Sequence, residues 1–288
     1  MRIFTHLCGA LSIASQALAL GEKRVISFPT GDLQGSLNTD KQAVFASAPA
    51  TPFLIAARSQ AVPLLLDSSD DQAIHVAAQT FSHDVYRVTG RRPELYNDTL
   101  PNHVDDAVII GSMSSSLISG LNDHERLAHL DGKWESYDVR VVAKPRKGLK
   151  KALVVAGSDR VSESQDIELI SQRGTVYALY TMSEQMGVSP FHYFADVPVR
   201  KREAIAFEAD CILAHGEPSV KYRGLFINDE HPALWENLAR KFKIKQGEPA
   251  FITKFYEPWF EMMLRLKANY HWPASKSTKR SLLNQSVC

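Results

Sequence analysis

Two segments near the end of the chain constrain its fold most: Tyr222-Arg-Gly-Leu-Phe-Ile-Asn-Asp-Glu230 and Leu264-Arg-Leu-Lys-Ala-Asn-Tyr-His-Trp-Pro-Ala274. Each reads as a short apolar strand whose carboxyl end carries polar or aromatic side chains. About forty residues with helical signals lie between the two strands, the spacing of one strand–helix–strand unit. A unit of this kind opens a (β/α)8 barrel, where chemistry sits at the carboxyl ends of the strands.

The rest of the 288-residue chain sets the context. Hydrophobic residues make up 44% and charged residues 23%, a globular composition, and the length suits one large or two ordinary domains. Lys and Arg number 33 against 32 Asp and Glu, so a net charge of +1 gives no electrostatic reason for a nucleic acid partner. Residues 1–19 have the order of a secretory leader: a positive start at Met1-Arg2, an apolar or small stretch from Leu7 to Leu18, and small-x-small at Ala17-Leu-Ala19. The mature chain is therefore expected outside the cell, with no membrane span. Removal of Cys8 with the leader leaves Cys211 and Cys288, which an oxidising compartment allows to pair. Asn97-Asp-Thr and Asn284-Gln-Ser are N-glycosylation sequons.

Strands alternate with helices through the first two thirds. Residues 21–60 are interrupted by Pro29, Gly31, Gly35, Pro49 and Pro52 and read as short strands and loops. A buried strand is expected at Val62-Pro-Leu-Leu-Leu66, followed by Asp67-Ser-Ser-Asp-Asp71, whose side chains can cap a helix. Ala73, Val76, Ala77, Phe81, Val85 and Val88 recur at helical spacing until Gly90. Further strands are expected at Ala107–Ile110, Trp134–Val142, Ala152–Ala156 and Glu203–Phe207, and a helix from Gly174 to Met186 stops at Gly187. This is the pattern of an α/β layer domain over residues 20–218, with Gly216-Glu-Pro218 as the boundary. Residues 219–274 then hold the barrel-like unit, and residues 275–288 show no period and read as an irregular tail.

Asn228-Asp229-Glu230 is the leading site candidate. Adjacent carboxylates repel, so one can stay protonated as a general acid while the other remains ionised. The same two residues also suit plain capping of the helix that follows. Arg223, five residues upstream, lies roughly 16 Å toward the other end of the strand at ~3.3 Å per residue, which makes it structural. Asn269, His271 and Trp272 lie on the second strand; Trp272 can stack on a sugar face or pack in a core. Gly111-Ser-Met-Ser-Ser and Gly157-Ser-Asp follow buried strands and read either as tight turns or as anion cradles, without nucleotide-motif spacing. His75 and His83 do not align on one helix face, so no metal site is expected. Ser158-Asp159 lacks a positioned histidine for a hydrolase triad.

The chain resembles glycoside hydrolase family 115, the xylan α-1,2-glucuronidases, through Ala152-Leu-Val-Val-Ala-Gly-Ser-Asp159, the run from Arg173-Gly-Thr to Val188-Ser-Pro190, Ala195-Asp-Val-Pro198, and the two strand segments above. The resemblance implies an N-terminal α/β domain like the noncatalytic domain of hexosaminidases, followed by a (β/α)8 catalytic barrel. It also implies inverting hydrolysis that releases glucuronic acid or its 4-O-methyl ether from glucuronoxylan, without an organic cofactor. Asp229 and Glu230 are then the catalytic candidates, and Asn228, His271 and Trp272 the substrate-binding ones. Residues 161–171 depart from the family pattern as an inserted loop or an unspliced intron. With two of the eight strands the family fold implies, the sequence reads as an N-terminal fragment, expected to be inactive as it stands. The alternative is a noncatalytic carbohydrate-binding or accessory α/β module; the oligomeric state stays open. Material exported under its own leader is expected to begin at Leu20, which N-terminal sequencing checks; a first residue of Met1 refutes the leader reading.

Overall fold

Leu64–Leu66, the interior of Asp106–Ser112 and that of Lys151–Ser158 are apolar at consecutive rather than alternate positions, and strands of that kind must be covered on both faces. The computed structural model satisfies this demand. It describes residues 25–28, 51–57, 60–158, 173–228, 234–245 and 252–273. These fall into two compact units, one of residues up to His192 with 197–218, the other of 193–196 and the residues from 219 onward.

The first unit runs β1 (Ile26–Ser27), β2 (Phe53–Ala57), β3 (Gln60–Ala61), β4 (Leu64–Leu66), α1 (Gln72–Thr89), β5 (Leu95–Asn97), β6 (Asp106–Ser112), α2 (Ser116–Ser119), a 3-10 helix (His124–Leu130), β7 (Ser136–Ala143), β8 (Lys151–Ser158), α3 (Arg173–Gln185), β9 (Ala204–Phe207) and β10 (Ile212–His215). Six strands form one sheet in the order β10-β7-β8-β6-β4-β5. Its centre is parallel, with Leu64 beside Val108 and Val108 beside Leu153, while β7 and β10 are added antiparallel. Leu65, Ile109, Val154 and Ala156 face a layer made by α2 and the 3-10 helix, where Leu117, Ile118, Leu127 and Leu130 are buried. The alternate residues, Leu64, Val108, Leu153 and Val155, are equally buried on the other side, where α1 and α3 pack.

Local chemistry sets the helix ends. The Asp71 carboxylate accepts from the Ala73 N–H at 2.7 Å to cap α1, and Gly90 ends it at φ 73° with its N–H on the Tyr86 carbonyl. Helix α3 is buried almost all round, with Val176 to Met182 inaccessible, as a helix lying between a sheet and a second helix must be. It comes close because two positions lack side chains. A Cβ on Gly157 would lie 2.0 Å from the Thr175 nitrogen, and one on Gly174 would lie 2.3 Å from the Ser136 oxygen. The Thr175 hydroxyl then donates to the Gly111 carbonyl at 3.0 Å, tying α3 to β6.

One feature of this unit was not expected from the sequence pattern. β9 does not extend the main sheet; it joins β1, β2 and β3 in a separate antiparallel sheet of order β1-β9-β2-β3, with Ile26 opposite Phe207. The second unit is β11 (Gly224–Ile227), α4 (Leu234–Phe242), α5 (Thr253–Arg265) and β12 (Tyr270–Pro273). β11 and β12 pair in parallel, so the two helices form the crossover between them. The leader, residues 161–171, Asp229, Glu230, Cys288 and the tail 275–288 lie outside the described residues. Cys211 is buried before β10, its thiol 3.9 Å from the Val139 carbonyl.

Gly157→Ala and Gly174→Ala are each expected to destabilise the first unit by about 3 kcal/mol or to prevent folding, because the obstacles are backbone atoms that cannot swing away. Gly216→Ala, with open space around its Cβ position, is expected to be near neutral. Denaturant unfolding of the three variants checks both statements.

Candidate site at the carboxyl ends of the paired strands

The amino ends of β11 and β12 are fixed by side chains bonded to backbone. Arg223 donates through Nε to the Lys267 carbonyl at 2.7 Å and through NH1 to the Val220 carbonyl at 2.8 Å, while its own N–H donates to Asn269 Oδ1 at 2.9 Å. Asn269 returns Nδ2 to the Lys221 carbonyl at 2.7 Å. Arg223 is thus structural, as its distance along the strand implies. The clasp sets a register in which Gly224 lies beside Tyr270, Leu225 beside His271, Phe226 beside Trp272 and Ile227 beside Pro273.

Alternation then sorts the pair into two faces. Ile227 packs with Leu238, Phe255, Tyr256 and Trp259 of the helices. Phe226 and Trp272 turn the other way and stay 57% and 60% exposed, meeting edge to face at 6.1 Å. Tyr270 is exposed beside Gly224, where a Cβ would lie 2.7 Å from its ring. Asn228, exposed and two residues beyond Phe226, continues this face at the carboxyl edge. Asp229 and Glu230 follow Asn228 directly in the chain but lie outside the described residues.

His271 does not share the face of Trp272, a revision of the grouping drawn from sequence. Its ring sits among Tyr256, Trp259 and Phe260 with centroids 5.7 to 6.1 Å away. Trp259 Nε1 donates to His271 Nδ1 at 3.3 Å, which requires an unprotonated Nδ1. Burial pushes the histidine pKa down; the Leu225 carbonyl acts in the opposite sense, but its approach falls short of a full hydrogen bond, so Nε2 is buried without one among the described residues.

The serine-rich turn after β6 is already filled. Asp67, 3% exposed at the end of β4, accepts from the Ser69 N–H and hydroxyl at 2.9 and 2.6 Å, from the Ser116 N–H and hydroxyl at 2.8 and 2.7 Å, and from the Ser115 hydroxyl at 3.0 Å. Asp70 takes the Ser112 N–H and hydroxyl at 2.9 and 2.7 Å. Hydrogen bonds from Ser69 and Ser116 hold the Asp67 carboxyl far below the usual carboxylate range. The anion for this cradle is supplied by the chain itself. At the turn after β8, Ser158 donates its hydroxyl to the Lys133 carbonyl at 3.1 Å, and Gly157 serves the approach of α3. A cavity of about 210 Å³ between the 3-10 helix and β10 is lined by His129, Lys133, Ser136, His215 and Glu217. These residues carry no motif, so no sequence signal pointed to them.

Because the folded state resists protonating His271, the unfolded chain takes up a proton first as pH falls. The stability of the second unit is therefore retained above the ordinary histidine value, about 6.5, and declines below it. Amide exchange at Gly224–Ile227 measured on either side of that value checks this, and His271→Phe is expected to remove the acid-dependent part.

Residues 215–286 match the sequence model of Glycosyl hydrolase family 115. A solved family 115 4-O-methyl-α-glucuronidase, with specificity for decorated arabinogalactans, superposes at a TM-score of 0.61 and 25% identity, covering 77% of this chain and 26% of that one. A β-N-acetylhexosaminidase from Streptomyces coelicolor A3(2) aligns at 0.35 and 9% identity over 67% of this chain and 29% of its own. A chitobiase from Flavobacterium johnsoniae aligns at 0.34 and 13% over 76% and 24%. No curated protein matches. The present sequence spans about a quarter of the length of the family 115 structure, and the strand pair with its crossover helices falls within the residues matched by the family's sequence model. The chain is thus similar to glycosyl hydrolase family 115, in sequence over residues 215–286 and in fold to a solved member of that family.

Proposed function

We propose that the protein belongs to the machinery that removes (4-O-methyl)glucuronic acid from plant cell-wall polysaccharide, and that β11 and β12 begin its sugar-binding face. One observation carries this reading. The parallel pair presents Phe226, Trp272 and Asn228 on the face away from the helices, at the carboxyl edge from which the chain passes straight into Asp229 and Glu230. In a (β/α)8 barrel, helices cover the outer face of the strands and the carboxyl edge forms the site. The Trp272 ring offers a flat apolar surface to a sugar face, Asn228 hydrogen-bonds a hydroxyl, and His271 supports the strand from behind.

For inverting hydrolysis, one carboxyl group protonates the leaving oxygen while a second, ~6.5–9.5 Å away, activates water on the opposite face of the sugar. We assign Asp229 and Glu230 to one side of this arrangement, with the partner carboxyl supplied by another strand. Export by the leader places the protein where plant polysaccharide is found. The solved relative acts on decorated arabinogalactans, so both arabinogalactan and glucuronoxylan are candidate substrates. The second reading, a noncatalytic accessory module, draws on the first unit's self-contained core, buried on both faces of its sheet.

In a version of this protein with a closed barrel, Glu230→Gln and Asp229→Asn are each expected to lower kcat by about 10²- to 10⁴-fold with thermal unfolding unchanged. Unchanged activity in both assigns them to helix capping. The 288-residue polypeptide has two parallel strands of this kind among its described residues, and two strands do not close a barrel. It is expected to release no uronic acid from either polysaccharide. Retention on insoluble glucuronoxylan without release favours the accessory reading.

A further inference from the structure

We propose that Asn97 is an N-glycosylation site whose glycan screens the open edge of the six-stranded sheet, an inference that rests on the secretory reading of residues 1–19. Asn97-Asp98-Thr99 is a sequon, and the fold displays it where a bulky polar group is tolerated. Asn97 is the last residue of β5, and both Asn97 and Thr99 are exposed. Asp98 adopts φ 63°, which turns the chain out of the strand. That turn is held from inside: the Asp98 N–H donates to the Leu66 carbonyl at 2.8 Å, and its carboxylate accepts from the Ser68 N–H at 2.8 Å. The Asn97 side-chain amide makes no hydrogen bond with the described residues, so attachment breaks nothing in the fold.

The position also answers a structural problem. β5 pairs with β4 on one side and, among the described residues, with no strand on the other. An open strand edge is a template for pairing with a second chain. β5 is short, which already limits the hazard, and a hydrated glycan at its carboxyl end adds steric exclusion. The chemistry is a simple group transfer. The donor is an oligosaccharide carried on a lipid diphosphate, the co-substrate of secretory glycosylation. Nδ2 of Asn97 forms a bond to the anomeric carbon, the bond from that carbon to the diphosphate oxygen breaks, the amide gives up one proton and the lipid diphosphate leaves.

The test is to express residues 20–288 behind a heterologous leader in a eukaryotic secretory host and digest with peptide-N-glycosidase. The expected result is a mobility shift on digestion and conversion of Asn97 to Asp in the peptide mass spectrum. Asn97→Gln and Thr99→Ala should abolish that conversion, Thr99→Ser should retain it, and Asn284→Gln should leave it unchanged. Attachment precedes folding, so material retained in the cells is read in the same way as secreted material. An unmodified Asn97 peptide in both fractions overturns the site. Modification under the heterologous leader but no export under residues 1–19 overturns the leader reading alone. Digested protein should self-associate at least twofold more than undigested protein by light scattering; equal association overturns the screening role.

Discussion

A parallel strand pair has to be covered on both faces, and most of this molecule follows from how each unit meets that requirement. In the first unit β4, β6 and β8 are sealed between α1 and α3 on one side and α2 with the 3-10 helix on the other. In the second, α4 and α5 cover one face of β11 and β12 while Phe226, Tyr270 and Trp272 remain at the surface. The same constraint that makes the first unit a closed layer structure leaves the second with an aromatic face directed at solvent. In a closed barrel that face is the interior, next to the chemistry.

The two units also differ in how they treat charge at strand ends. After β4 and β6 the exposed backbone donors are consumed by Asp67 and Asp70, so a crevice that often binds anions in α/β sheets is neutralised from within. After β11 the sequence runs into Asp229 and Glu230 with no serine-rich stretch beside them. The carboxylates that follow β4 are structural ligands of the backbone.

Much of this was readable from side-chain order alone. Continuous apolar runs announced β6 and β8, the spacing of Ala77, Phe81, Val85 and Val88 announced α1, and Asp71 and Gly90 marked its ends. Rise per residue was enough to assign Arg223 to the remote end of its strand. The small antiparallel sheet was not legible, because strands of two residues have no period and Ile26 meets Phe207 only through the tertiary fold. Nor was the filling of the serine turn, since Asp67 and Ser115 are 48 residues apart. His271 is instructive in a different way: adjacent strand residues point to opposite faces, so its separation from Trp272 was implicit in their neighbouring numbers.

The Arg223–Asn269 clasp has a kinetic consequence. The two residues are separated by 46 positions, and closing a flexible loop of that length costs about 3 kcal/mol in chain entropy beyond a constant term. Two strands of four residues offer few ladder bonds to offset it, so the pairing cannot nucleate from the strands alone. Once α4 and α5 have formed, the loop is effectively shorter and stiffer, and the side-chain-to-backbone bonds at the amino ends can act as the first rung of a zipper. Assembly of the strand pair would then follow its helices in time, with the carboxyl edge last to become ordered.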